Sequence, residues 1–307
     1  MLTYLLRRVL LLFPTLFVVA LIVFVLAHAA PGSPFEHNAD RPLPPATIAA
    51  LERYYGTDKP IHEQFLRYMG NLLRFDLGTS LVQDRTVAQI IGQQFPVSAQ
   101  LGLQALLLAL AISLPLGVIS ALRQNTTFDY ASIVFATVGT TVPSFVIAIF
   151  AIYLFGLNLG WLPLVGWGTP KHMVMPTLIL ALGATAFLTR ITRASVLEAI
   201  RQDYVRTARS KGLSEQMVVV GHVLRNALIP VATIVGPATA GLITGSFIIE
   251  WFFVIPGIGR EFVLSINRRD YPLIMGVYLL YAFLIAVANL TVDLVYGLID
   301  PRIRVSK

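Results

Sequence analysis

Six long apolar stretches, at roughly 9–29, 97–120, 130–157, 173–192, 229–249 and 272–297, alternate with polar and basic connections. Each approaches or exceeds the roughly 20 residues that an α-helix needs to cross about 30 Å of hydrocarbon. Unpaired backbone amides cannot face lipid, so spans of this kind are helical, and the pattern predicts an all-α polytopic membrane protein. Pro and Gly interrupt several spans: Pro115 and Gly117 in the second, Pro143 in the third, and Gly236, Pro237, Gly241 and Gly245 in the fifth. They serve close helix packing or shape a pathway, and the pattern alone leaves both uses open. The first stretch follows Arg7 and Arg8 and resembles a signal peptide. It is longer than a signal core of about 7–15 residues, so it reads as a retained first helix.

The 30–96 segment is too long for a turn. It opens on Pro31-Gly32-Ser33-Pro34 and Pro42-Leu43-Pro44-Pro45. A helical pattern follows from Ala46 through Ile48, Leu51, Tyr54 and Tyr55. A second runs through Ile61, Phe65, Tyr68, Met69 and Leu72, and a short third lies near Val87–Ile91. These predict a small packed cap that receives a partner or braces the helices. Basic residues set the orientation. With the N-terminus cytoplasmic, 13 of the 23 Lys and Arg fall on the cytoplasmic side and the cap is extracytoplasmic. Six spans then return the C-terminus to the cytoplasm. Trp161, Trp167 and Trp251 fall at the outer interface, as an aromatic belt requires.

Composition agrees: 56% of the 307 residues are hydrophobic and only 13% are charged, against roughly 25% charged in soluble domains. The net charge of +7 is accounted for by topology, which removes a nucleic-acid role. With no cysteine, disulfides and thiolate chemistry are excluded. His28, His172 and His222 do not converge in sequence, so no metal site is expected. No Walker-type Gly-Lys-Ser or Gly-Lys-Thr occurs; if ATP drives this protein, another chain hydrolyses it.

The segment 198–224 is too charged for the bilayer and too regular for a linker. Apolar Val205, Ala208, Leu213, Met217 and Val220 alternate with Arg206, Arg209 and Lys211. Gly212 suits a left-handed helix end, and Ser214 suits the N-cap of a restarted helix. An interfacial helix or an ordinary connector fits the composition equally well. At membrane depth, Asn289 and Asp293 share one helix face, with structural anchoring favoured over transport chemistry. Asp129 caps or flanks the start of the third span.

Three blocks in order carry a family resemblance. The first is Tyr55-Gly56, Pro60-Ile61, Gln64, Tyr68, Gly70-Asn71 and Asp76-Leu77-Gly78-Thr79-Ser80. The second is Asp203 to Leu213 with Leu224-Arg225-Asn226-Ala227-Leu228-Ile229-Pro230. The third is Pro256-Gly257-Ile258-Gly259, Arg269-Asp270-Tyr271-Pro272, Asn289 to Asp293 and the tail Asp300-Pro301-Arg302-Ile303-Arg304. Together they make nearly the whole chain resemble the B-type inner-membrane permease subunits of dipeptide/oligopeptide ABC importers. The superfamily's acidic cytoplasmic signature position falls here on Arg206, followed by Thr207 and Ala208, so no acidic contact to an ATPase carries over.

The resemblance implies a type I importer transmembrane domain with six spans. Its parts are a first helix (1–29), an extracytoplasmic helical subdomain (30–96), a core permease domain (97–300) and a cytoplasmic tail (301–307). It implies a non-enzymatic subunit that moves di- or oligopeptides inward by alternating access. Nickel, glutathione or oligosaccharide import are same-family alternatives, and a secondary transporter is a more distant one. The implied partners are a homologous second permease, two ATPase subunits holding ATP and Mg²⁺, an extracytoplasmic binding protein and membrane lipid, in a bacterial or archaeal plasma membrane. About 204–217 would be the coupling helix, with Tyr204, Val205, Arg206, Thr207, Ala208, Arg209, Lys211, Gly212 and Leu213 engaging an ATPase and the hydrophobic side filling its groove. Asp76, Gly78, Glu250, Pro256, Gly257 and Gly259 would form the outer gate or binding-protein contact. Asn226, Pro230, Gly241, Asn289 and Asp293 are structural or pathway candidates.

Overall fold

The computed structural model describes residues 2–29, 35 and 44–299, and its regular elements there are helices joined by turns and loops. In chain order the helices are α1 (Leu2–Ala29), α2 (Pro45–Tyr55), α3 (Ile61–Leu72), α4 (Val87–Leu122), α5 (Thr127–Thr141), α6 (Ser144–Ala151) and α7 (Pro170–Ile200). They continue with α8 (Asp203–Ser210), α9 (Glu215–Val218), α10 (Leu224–Ile243), α11 (Phe247–Phe252), α12 (Ile258–Asn267) and α13 (Tyr271–Ile299). The Pro31–Pro34 motif and the tail 301–307 lie outside the described residues.

Five of these stretches are apolar and long enough to cross a bilayer: Leu10–Ala29, Val87–Leu122, Pro170–Ile200, Glu215–Phe252, which joins α9, α10 and α11, and Tyr271–Thr291. The expected span at 130–157 differs. It is a bent pair, α5 and then α6 with its π-helical continuation Ile152–Asn158, folded by 99°. Pro143 causes the break: it has no N–H to donate, and it holds Val142 extended at ψ 122°. The expected short helix near Val87–Ile91 is also revised, because it and the second span are one continuous α4 of 36 residues. A reciprocal capping box starts it. Gln89 N–H donates to Thr86 Oγ1 (3.2 Å), and Thr86 N–H donates to Gln89 Oε1 (3.1 Å).

At about 1.5 Å per residue α4 is roughly 54 Å long, so it spans the molecule and defines two ends. Near Val87 it meets the cap, where Val87 and Ile90 are buried against Ile258, Leu273 and Val277, with Leu77 packed on them. Near Ala121 it meets α8. Between the ends, Ala105 and Ala109 of α4 pack on Ala181 and Leu188 of α7 and Val231 of α10. Small residues at these positions let the helices approach closely. The N-terminal helix α1 lies on α13, through Val23, Phe24 and Ala27 against Tyr271, Ile274 and Met275.

The cap is pinned to α13 by polar contacts between two segments far apart in sequence. Ser80 Oγ donates to Asp270 Oδ2, and Leu81 N–H donates to Asp270 Oδ1 (3.1 Å). Ser80 Oγ also accepts from Val82 N–H (3.2 Å) and Gln83 N–H (2.9 Å). Both its lone pairs are then used, and its proton must go to the carboxylate. Glu261 accepts from Gln83 Nε2 and Gln94 Nε2, tying α12 to the same loop. Burial pushes the Asp270 carboxyl above the usual range, while the Ser80 hydroxyl and the Leu81 and Leu273 N–H groups draw it back.

An acid that holds its proton more tightly when folded loses stability as pH rises from its unfolded value, about 3.9, through its folded value. Ser80→Ala removes the strongest stabiliser of the ionised form. Thermal unfolding of the purified chain across a pH series should show a loss of about 1–3 kcal/mol for Ser80→Ala. The decline with rising pH should extend to higher pH than in the wild type.

Candidate functional site

At the end of the bundle opposite the cap, α8 follows α7 after a two-residue break at Arg201 and Gln202. Val205 is 0% exposed and Ala208 5%, both packed against Val196 and Ala199 of α7, Ala121 of α4, and Val218, Val223 and Ala227. Leu213 is partly buried on the same cluster. The apolar side of α8 is therefore filled by this chain's own helices and is not offered to a partner's groove, a correction to the expected arrangement. Sequence reasoning found the amphipathic pattern, but only tertiary packing decides which face is covered.

The outward face holds Tyr204, Arg206, Thr207, Arg209, Ser210 and Lys211. Beyond the turn it continues through Met217 and Val220, 58% and 61% exposed. Gly212 makes that turn with φ +79°, a left-handed conformation costly for any side chain carrying Cβ. Ser214 then caps α9, its hydroxyl accepting from Met217 N–H. Across the turn Arg209 binds Glu215 through two nitrogens, at 2.6 and 3.1 Å. The Glu215 carboxylate holds the Arg209 guanidinium above its ordinary range. Arg206 lies 3.6 Å from Asp203, both exposed, and such a pair contributes little. A pocket of about 260 Å³ brings Tyr204 together with Ser195, Glu198, Gln202, Asn226 and Pro230. Two blocks separated in sequence thus meet at one recess.

One constellation was not legible in advance. Asp129, in the first turn of α5, is 0% exposed. Its Oδ1 accepts from Ser120 Oγ (2.6 Å) and Arg193 Nε (2.6 Å), and its Oδ2 from Asn125 N–H (2.9 Å) and Arg193 Nη2 (2.8 Å). The N-cap itself is Thr126. Asp129 instead clamps α4, α5 and α7 together one turn from the Ala121–Val196 contact that carries α8. Its partner is 64 residues away, and no local pattern announces a pairing at that distance.

At the cap end, Glu250 of α11 is 0% exposed and folded under the Pro256–Gly259 loop. Its Oε2 accepts from Arg260 N–H (3.0 Å) at the start of α12, and Ser98 Oγ accepts from Ile258 N–H (2.9 Å) beside it. A Cβ on Gly257 would sit 2.4 Å from Glu250 Oε2 and 2.5 Å from Ser98 Oγ, so any other residue there would force the buried carboxylate and hydroxyl to shift. Asp76 and Gly78 lie apart from this cluster. Asp76 Oδ1 accepts from Gly78 N–H (2.8 Å), and both line a cavity of about 370 Å³ with His28, Gln64, Tyr68 and Tyr271.

Of the remaining candidates, Asn226 donates to His222 O (3.4 Å) and is exposed with Pro230. Gly241 has open space where a Cβ would stand. Asn289 is exposed on α13, whereas the Asp293 side chain lies outside the described residues. His28 contacts Phe24 O and Gln64, and His172 contacts Thr169 Oγ1. Among the described residues no three His, Asp or Glu converge.

Breaking a buried ion pair strands the surviving charge. Asp129→Ala should therefore cost about 3 kcal/mol in thermal unfolding of the purified chain. The paired replacement Asp129→Leu with Arg193→Met should recover most of that loss.

Residues 113–305 match the family described as binding-protein-dependent transport system inner membrane component, and residues 1–102 match its N-terminal membrane component. The chain is 43% identical over 305 residues to the dipeptide transport system permease protein DppB of Bacillus subtilis, covering 99% of this chain and 98% of that one. It is 42% identical over 307 residues to the oligopeptide transport system permease protein OppB of Salmonella typhimurium, covering 99% and 100%. Among solved structures, the inward-facing MetNI methionine ABC transporter aligns with a TM-score of 0.54 at 15% identity. That alignment covers 69% of this chain and 97% of that one, a likeness of fold. An amino acid ABC transporter aligns with a TM-score of 0.50 at 18% identity, over 70% and 94%. The chain belongs to the inner-membrane permease subunits of binding-protein-dependent ABC importers, in the B-type branch of the dipeptide/oligopeptide family.

Proposed function

We propose that this chain forms one half of the pathway through which an ATP-driven importer moves di- or oligopeptides into the cytoplasm. In this reading the α8 end is cytoplasmic, both termini lie on that side, and the cap faces outward. The observation that carries it is the division of α8 into two faces. Val205 and Ala208 fasten the segment to α4, α7 and α10, leaving Tyr204, Arg206, Thr207, Lys211, Met217 and Val220 outward. That exposed strip, cationic with apolar ends, suits the surface of an ATPase subunit.

A lever needs both faces. When ATP closes a pair of ATPase subunits, the docked strip moves with them. The buried face passes that displacement to α7, and the Asp129–Arg193 clamp carries α5 and α4 along. No substrate bond is broken. Differential binding of the partners shifts an equilibrium between inward-open and outward-open states. A second permease chain supplies the other wall of the pathway, and a binding protein delivers the peptide at the cap end. The names of the relatives and the absence of a Walker motif from the sequence support this division of labour. The long apolar helices place the chain in the membrane, a bacterial inner membrane in this reading.

The test is ATP hydrolysis by the complete complex in nanodiscs, with its binding protein empty or loaded from a defined peptide pool. Loaded binding protein should stimulate hydrolysis. Gly212→Val, which forces a β-branched residue into the left-handed turn, should reduce the stimulation roughly tenfold, equivalent to about 1.4 kcal/mol of coupling, with the complex still assembled. Stimulation only by Ni²⁺ or glutathione would overturn the peptide assignment, and none from any loaded binding protein would overturn the coupling.

A further inference from the structure

A groove of about 380 Å³ lies between α1 and the start of α13 at the cap end of the bundle. Its walls are Val19, Ile22, Val23, Leu26 and Ala27 of α1, and Ile266, Tyr271, Ile274 and Tyr278 opposite. Almost all of this lining is hydrocarbon or aromatic ring. Ile22 and Leu26 are 51% and 64% exposed, as expected of a surface that meets lipid. From Ala27 to Val19 the groove descends about 12 Å along α1, inside the apolar stretch Leu10–Ala29.

One residue of the lining does not fit an ordinary lipid-facing surface. Arg269 stands at the mouth of the groove, half-buried, on a backbone held at φ +53°. Among the described residues no carboxylate lies within 4.0 Å of its guanidinium, and its side chain makes no hydrogen bond. The nearest acids in sequence are already committed: Asp270 to Ser80 and Leu81, and Glu261 to Gln83 and Gln94. A half-buried guanidinium beside an apolar slot calls for an anion attached to a long apolar body.

We propose that this groove binds a glycerophospholipid from the cap-side leaflet, with its phosphate on Arg269 and one acyl chain between α1 and α13. A phosphate accepts the planar N–H fork of arginine through two oxygens, and at the boundary of the hydrocarbon the pair sits where headgroups lie. The volume falls at the lower end of the roughly 300–1,000 Å³ typical of small-molecule sites. The packing of α1 gives the lipid a structural part. On its other side α1 is held by an aromatic stack of Phe24, Phe65, His28 and Tyr271, with ring centroids 4.1–5.1 Å apart. On the groove side Val23 and Ala27 pack on Ile274 while Ile22 and Leu26 stay exposed, and the bound chain covers these two. The site lies apart from α8 and carries no part of the coupling proposal.

The complete complex is reconstituted in nanodiscs of phosphatidylethanolamine and phosphatidylglycerol. They carry a trace of phosphatidylglycerol with a diazirine on one acyl chain, or of diacylglycerol with the same diazirine and no phosphate. After photolysis, labelled peptides are mapped by mass spectrometry. The phospholipid probe should label 19–27 and 271–278 strongly and the diacylglycerol probe weakly. Arg269→Gln should lower groove labelling by the phospholipid roughly tenfold, and Arg269→Lys should retain part of it. Labelling at exposed Phe150 of α6 reports bulk lipid contact and should be the same in every variant, which also verifies that the fold is kept. Leu26→Trp, filling the slot without touching the arginine, should abolish groove labelling as well. Equal groove labelling by the two probes, or labelling indifferent to Arg269→Gln, would overturn the site. So would photocapture of the groove by another protein subunit through a diazirine amino acid placed at Ile22.

Discussion

The contact of Val205 and Ala208 with the ends of α4, α7 and α10 is the joint on which the rest of the molecule depends. Without it, the polar segment after α7 would be a tether, and force applied there would be lost in the chain's flexibility. Two small apolar side chains suffice because both are fully packed, and close-packed interiors transmit displacement. The exposed face gains a fixed orientation from the same contact, since burying one side of a short helix decides where the other points. Gly212 and the Ser214 cap then turn the chain sharply enough for Val218 and Val223 to return to the same cluster.

The opposite end is organised by polar burial. Ser80 with Asp270, Gln83 and Gln94 with Glu261, and Glu250 beneath the Gly257 loop each join segments distant in sequence. Each carboxylate is nearly or fully buried, Asp270 and Glu261 accept two donors apiece and Glu250 accepts Arg260 N–H, so each favours one geometry over others. Between the two ends the helices touch through alanines and glycines, and the Asp129–Arg193 pair binds three of them into one body. Coupling by rigid elements with two arrangements needs parts of this kind.

Local chemistry made some of this legible in the sequence. The left-handed turn at Gly212 and the cap at Ser214 follow from residue type and position, and the spans follow from length and hydropathy. The two cap helices follow from the spacing of Ile48 to Tyr55 and of Ile61 to Leu72. Pro143 marked a break but not the 99° fold, because a proline removes one hydrogen bond while neighbouring helices set the angle. Val87–Ile91 reads as a short helix separate from the span at 97–120, but the chain runs helically through Pro96 and the two are one element. The clamp of Asp129 and the pin of Ser80 on Asp270 join residues 64 and 190 positions apart. Each looks like an ordinary polar residue near a helix end until the fold brings its partner. The inward turn of Val205 and Ala208 escaped for the same reason: an amphipathic period shows two faces and is silent on which is covered.

The central claim is that the outward strip of α8 and α9 is the surface an ATPase subunit grips while the inward strip stays anchored in this chain. The chain has no cysteine, so single cysteines can be placed without background. Lys211→Cys and Met217→Cys in the complete complex, treated with a short amine-to-thiol cross-linker, should each capture an ATPase subunit. Ala208→Cys, on the buried face, should capture none. Failure of both outward positions to capture an ATPase, or capture from Ala208→Cys alone, would contradict the account.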